Sequence, residues 1–151
     1  MATGQSAMDE NLRIDMDVPI AASRAVVFQT ITTRFGEWLL GQQDEPMGLT
    51  LEAWPGGRLW RDLGNGAGHL WGHVQVIKPP ALLELTGPLF VSAPSLSHVA
   101  FRLEEDTNGT LLKFTHRVCG VVPDDMRTNV RGGWESILAG ALKTLCEGES
   151  R

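Results

Sequence analysis

"DDMRTNVRGGWESILAGALKTLC", residues 124–146, is the stretch on which the fold turns. Met126, Val130, Trp134, Ile137, Leu138, Ala141 and Leu145 recur at helical spacing, in steps of 4, 4, 3, 1, 3 and 4. Asp124 and Asp125 follow Pro123 and place negative charge where a helix N-terminus favours it. The pattern predicts an amphipathic helix over 124–146, about 35 Å long at 1.5 Å per residue. Gly132 and Gly133 stand in its middle and cost about 1 kcal/mol each relative to alanine. They imply a kink, close packing against a neighbour, or room left for a ligand.

Upstream, the signals are strand and turn. "LRIDMDV" alternates, with Leu12, Ile14, Met16 and Val18 on one face, and Pro19 is expected to end the strand. Ser23 then offers an N-cap to a short helix carrying Val27, Phe28 and Ile31, and "RFGEWLLG" reads as a further helical turn. From 48 to 118, alternating runs are broken by Pro-Gly-Gly at 55–57, by "GNGAG" at 64–68 and by Pro79-Pro80. The order predicts an α+β domain: about six to seven antiparallel strands, two short helices after the first, and one long helix to cover the sheet. Its expected extent is 9–147, preceded by a loose tail over 1–8.

The chain's 151 residues are enough for one domain with its own core. Its formal charge of -5 argues against nucleic-acid binding. No apolar run approaches the ~20 residues of a membrane span, and "MATGQSAM" lacks the regions of a signal peptide, so a cytoplasmic location is expected. Cys119 and Cys146 read as reduced thiols, one at a strand end and one on a helix. No P-loop, dinucleotide fingerprint, nucleophile elbow or metal-ligand motif occurs, so no cofactor is expected.

The last hairpin can be registered by parity. Val99, Phe101 and Leu103 share one face with Leu112, Phe114 and His116. A four-residue loop at Asp106–Gly109 pairs Leu103 with Leu112, Phe101 with Phe114 and Val99 with His116. A two-residue Asn-Gly turn would instead push Glu105 inward. His116 therefore points inward, either as a neutral core imidazole with both nitrogens bonded or as a ligand contact.

"GHLWGHVQVIKPP", residues 68–80, is less decided. Apolar parity turns Leu70, Val74 and Val76 inward, leaving Trp71 and His73 on the outer face as a candidate homodimer contact. A β-bulge near Gly72 would turn Trp71 or His73 inward instead. His69 and His73 lie about 13 Å apart along a strand, too far to share a metal, so no metal site is expected.

Five stretches in order resemble a known family. "IAASRAVVFQTITT" resembles its opening helix and "EAWPGGRLW" its acidic-x-x-Pro-Gly-Gly-Arg turn. "GHVQVIKPPALLELT" resembles its Gly-x-Val strand with double proline, "HVAFRLEEDTNGTLLKFTHRV" its last hairpin, and "GGWESILAGAL" its Gly-Trp helix. The family is the START-like, birch-pollen-allergen-like helix-grip superfamily (SRPBCC), in the branch named after the activator of the heat-shock-protein-ninety ATPase. The resemblance spans roughly 12–146 and departs at Val76, where the family often has an acidic residue. It implies a curved sheet wrapped around the long helix, with an apolar small-molecule cavity between them.

On that frame, Phe101, Phe114, His116 and Trp134 are the candidate ligand contacts between sheet and helix. Trp134 serves equally as plain core. Trp38 falls where the family's small helix closes the mouth, and Phe90 lies in a connection that could act as a lid. Trp54 and Trp60 could line the mouth or cover an edge. The leading expectation is binding of a small hydrophobic molecule. The alternatives are an aromatase/cyclase- or dehydratase-like enzyme using His116 as acid or base, and an interaction module that contacts a chaperone.

Overall fold

The computed structural model of the chain describes residues 11–41 and 43–149, so the tail expected over 1–8 lies outside the described residues. Seven strands form one antiparallel sheet in the order β1-β7-β6-β5-β4-β3-β2. They are β1 (Leu12–Ile20), β2 (Leu49–Leu51), β3 (Arg58–Gly64), β4 (Ala67–Lys78), β5 (Leu82–Gly87), β6 (Ser95–Asp106) and β7 (Gly109–Gly120). Two short helices, α1 (Arg24–Thr33) and α2 (Phe35–Trp38), follow β1. The chain ends in a long helix that covers the curved sheet, giving the α+β helix-grip arrangement.

Three details differ from the sequence reading. Pro19 does not end β1: it pairs with Leu111, and the strand runs to Ile20. β1 is an edge strand, where a residue without an N–H can face away from the ladder at no cost. The hairpin pairs are those expected, with Leu103 opposite Leu112 and Phe101 opposite Phe114. The ladder, however, continues to Asp106 and Gly109, so the loop is Thr107-Asn108 alone.

The third difference lies in the long helix. It comprises α3 (Asp124–Ser136), a π-helical segment (Ile137–Leu142) and α4 (Lys143–Glu149). The buried row is Met126, Val130, Trp134, Leu138, Leu142 and Cys146, every fourth residue throughout. In an α-helix of 3.6 residues per turn, steps of four overshoot by about 40° each, so the row would wind off the sheet. The wider i→i+5 turn runs the other way and returns the row to the core. Leu142 and Cys146 thus take the place that spacing assigned to Ala141 and Leu145, both of which are half-buried.

The turn at 52–58 is built as its motif requires. Glu52 accepts from the Arg58 backbone N–H at 2.9 Å and from its guanidinium at 3.0 and 3.1 Å. Gly56 has φ +83°, and a Cβ on Gly57 would lie 1.9 Å from the Glu52 carbonyl oxygen. Among the described residues, no helix is long and apolar enough to cross a membrane.

Candidate functional site

A cleft of about 1130 Å³ opens between the long helix and one end of the sheet. From the helix, Met126, Val130, Trp134 and Ile137 form one wall. Leu39, Leu40 and Met47, from the segment after α2, form a second. Trp71 of β4, with Phe90 and Val91 from the β5–β6 connection, forms a third. Gly132 and Gly133 face this space, and a Cβ on either would meet nothing within 4 Å. Of the three explanations for the glycine pair, close packing is therefore absent and open room is present.

Trp71 lies inside, not on the outer face to which apolar parity assigns it. It is 2% exposed, whereas Leu70 beside it is 43% exposed. The cause is a register shift: Leu59 pairs with Gly72 but Trp60 pairs with Leu70, so Trp71 is the extra residue of a β-bulge. The bulge reverses the parity of the strand upstream, turning Trp71 inward and Leu70 out. His73 stays on the outer face, exposed, as expected. The bend is tight because two glycines meet: a Cβ on Gly72 would lie 2.6 Å from the Thr86 carbonyl oxygen, and one on Gly87 2.4 Å from that of Trp71. Leu89 donates its N–H to the same Trp71 oxygen at 2.7 Å, with φ +54°, and this fixes Phe90 beside the Trp71 ring. Gly72 and Gly87 were the readable signal, as glycines in facing strands mark a close backbone approach.

Of the other candidates, Phe90 and Trp134 line the cleft; Trp38, Phe101, Phe114 and His116 do not. Trp38 is fully buried and donates its indole N–H to the Ile31 carbonyl at 3.3 Å. Phe101 lies 6.0 Å from Trp38 and 5.3 Å from Phe114, which lies 4.5 Å from Trp134. These rings form a continuous aromatic core behind the Trp134 wall. Trp54 is 58% exposed, and Trp60 carries the Arg58 guanidinium 4.3 Å from its ring centre.

His116 is fully buried with both ring nitrogens engaged. Nδ1 accepts the Trp134 indole N–H at 3.0 Å, so Nε2 carries the proton and faces Ser97 Oγ at 3.0 Å. Burial pushes its pKa down to about 4, so the imidazole is neutral at ordinary pH. Its geometry suits it to hold the Trp134 ring in one orientation. Among the described residues, no group of three His, Cys, Asp or Glu side chains is placed to hold a metal ion.

The curved sheet, the long helix and the cleft between them define a helix-grip domain. The model of the activator of Hsp90 ATPase homolog 1-like family matches residues 21–147, and the chain belongs to that family. Among solved structures, protein MLL2253 from Mesorhizobium loti is similar, with 19% identity and a TM-score of 0.70 over 91% of this chain and 98% of that one. An uncharacterised protein from Rhizobium leguminosarum has 22% identity and a TM-score of 0.68 over 91% and 95% of the two chains. The Aha1 dimer from Colwellia psychrerythraea, a solution structure, has 21% identity and a TM-score of 0.68 over 90% and 96%. At these identities the likeness speaks for the fold alone. No curated protein matches the chain significantly.

Proposed function

We propose that this domain binds a small, predominantly apolar molecule in the cleft between the long helix and β4. The observation that carries the reading is the space itself: three aromatic side chains, Trp71, Phe90 and Trp134, border an open volume that the Gly132–Gly133 pair leaves unfilled. Mostly apolar walls with a few polar groups are the usual make-up of small-molecule sites. The enzyme alternative has less support. His116 is neutral, fully buried and already bonded at both nitrogens, so it has no free nitrogen to offer a substrate.

A homodimer, and a contact with a chaperone, belong to a second reading. With Trp71 inside, its support is the exposed pair Leu63 and Leu70 on the β3–β4 hairpin, 61% and 43% exposed, together with the solution dimer among the structural relatives. A cytoplasmic location would suit either reading.

The test uses a neutral fluorescent probe, N-phenyl-1-naphthylamine. Binding should raise probe emission and quench tryptophan. Gly133→Leu places a side chain in the cleft without a clash and should abolish binding while the protein stays folded. A folded Gly133→Leu protein that binds the probe as wild type does would overturn the proposal.

A further inference from the structure

The cleft is asymmetric in charge. Three carboxylates line it: Asp44 and Glu45 from the segment after α2, and Asp125 from the first turn of α3. Among the described residues lining it there is no lysine, arginine or histidine. The N-terminus of α3 would by itself favour an anion, but Asp124 and Asp125 already occupy its first turn. The Trp71, Phe90 and Trp134 rings add aromatic surface, which attracts cations.

A second, independent feature lies on the Trp71 side. Trp71 is 2% exposed, and its indole N–H meets no hydrogen-bond acceptor among the described residues. A buried donor without a partner is costly, so an acceptor brought by a ligand would be firmly held. Phe90 packs against the Trp71 ring at 5.7 Å between centroids and is itself 38% exposed. Phe90 and the Trp71 ring both border the cleft, so the unpartnered donor belongs to one of its walls.

Resting on the binding reading above, we infer that the ligand is a cationic amphipath. Its apolar body lies between Trp71 and Trp134 and carries an acceptor for the Trp71 N–H. Its positive group lies at the Asp44, Glu45 and Asp125 rim. A carboxylate ligand of the same body is repelled by that rim.

Three naphthamides test this, sharing one ring and one amide carbonyl: N-(2-aminoethyl)-, N-ethyl- and N-carboxymethyl-2-naphthamide. At about pH 7.5 and low salt, the aminoethyl probe should bind at least about ten-fold tighter than the carboxymethyl probe, with the ethyl probe between them. Added salt should narrow the gap, because a rim open to solvent is screened. Neutralising the rim with Asp44→Asn, Glu45→Gln and Asp125→Asn together should bring the three affinities together. Trp71→Phe keeps a ring and removes the donor, and should weaken all three probes by a similar, several-fold factor. In wild type, the Trp71 indole proton should move downfield when the N-ethyl probe binds. A carboxymethyl probe that binds as tightly as the aminoethyl probe overturns the cationic assignment and leaves the binding reading standing. An unmoved indole proton, with Trp71→Phe unchanged in affinity, overturns the acceptor assignment. If none of the three binds, the inference and the binding reading fall together.

Discussion

At His116, two hydrogen bonds and complete burial fix a neutral imidazole, and this has a consequence for stability. The unfolded chain takes up a proton near pH 6.5, the folded chain only near pH 4. Between those values the unfolded state binds the proton and the folded state does not, so acid favours unfolding. The contribution is fully present above about pH 6.5 and is lost as the pH falls to about 4, to the extent of about 3 kcal/mol. Urea denaturation across that range should show wild type losing stability that His116→Gln retains, since Gln can accept from Trp134 but does not titrate. A difference between the two proteins that stays constant with pH would contradict the assignment. The inward position of His116 was legible, because strand alternation over residues 112–116 is uninterrupted. That it holds Trp134 was not, because that bond joins residues 18 apart in sequence across two layers.

At the scale of elements, the long helix depends on a row of every fourth residue that an α-helix alone could not keep facing the sheet. Leu138, fully buried, stands where the π-helical segment begins to correct that row. Leu138→Ala should lower stability by about 2–5 kcal/mol in chemical denaturation, the range for a buried leucine whose cavity stays open. A denaturant midpoint equal to wild type would contradict the packing. Gly133→Leu should act in the opposite direction, raising stability by up to about 1 kcal/mol through helix propensity, because its side chain enters open space. A midpoint well below wild type would mean that the site is not open. The elements themselves were readable: alternation marked the strands, and Asp124, Asp125 and the apolar steps marked the helix. Of the two irregularities, the π segment was not, and the bulge was legible only as an alternative at Gly72. The π segment corrects the drift of a row of every fourth residue, which apolar spacing alone does not show, whereas along β4 apolar parity outweighed the glycine that marks the bulge. The bulge reversed the face of Trp71, and it moved the residue from a supposed interface to the cleft wall.

Across the whole molecule, the aromatic side chains divide by role. Trp38, Phe101 and Phe114 pack as a continuous core, Trp71, Phe90 and Trp134 border the cleft, and Trp54 and Trp60 lie by the Pro-Gly-Gly turn. This partition makes the binding proposal directly observable, because each tryptophan carries one indole N–H. In a ¹⁵N-labelled protein, saturating N-phenyl-1-naphthylamine should shift the Trp71 and Trp134 indole resonances and leave those of Trp54 and Trp60 in place. Shifts at Trp54 or Trp60, with Trp71 and Trp134 unmoved, would contradict binding in the cleft.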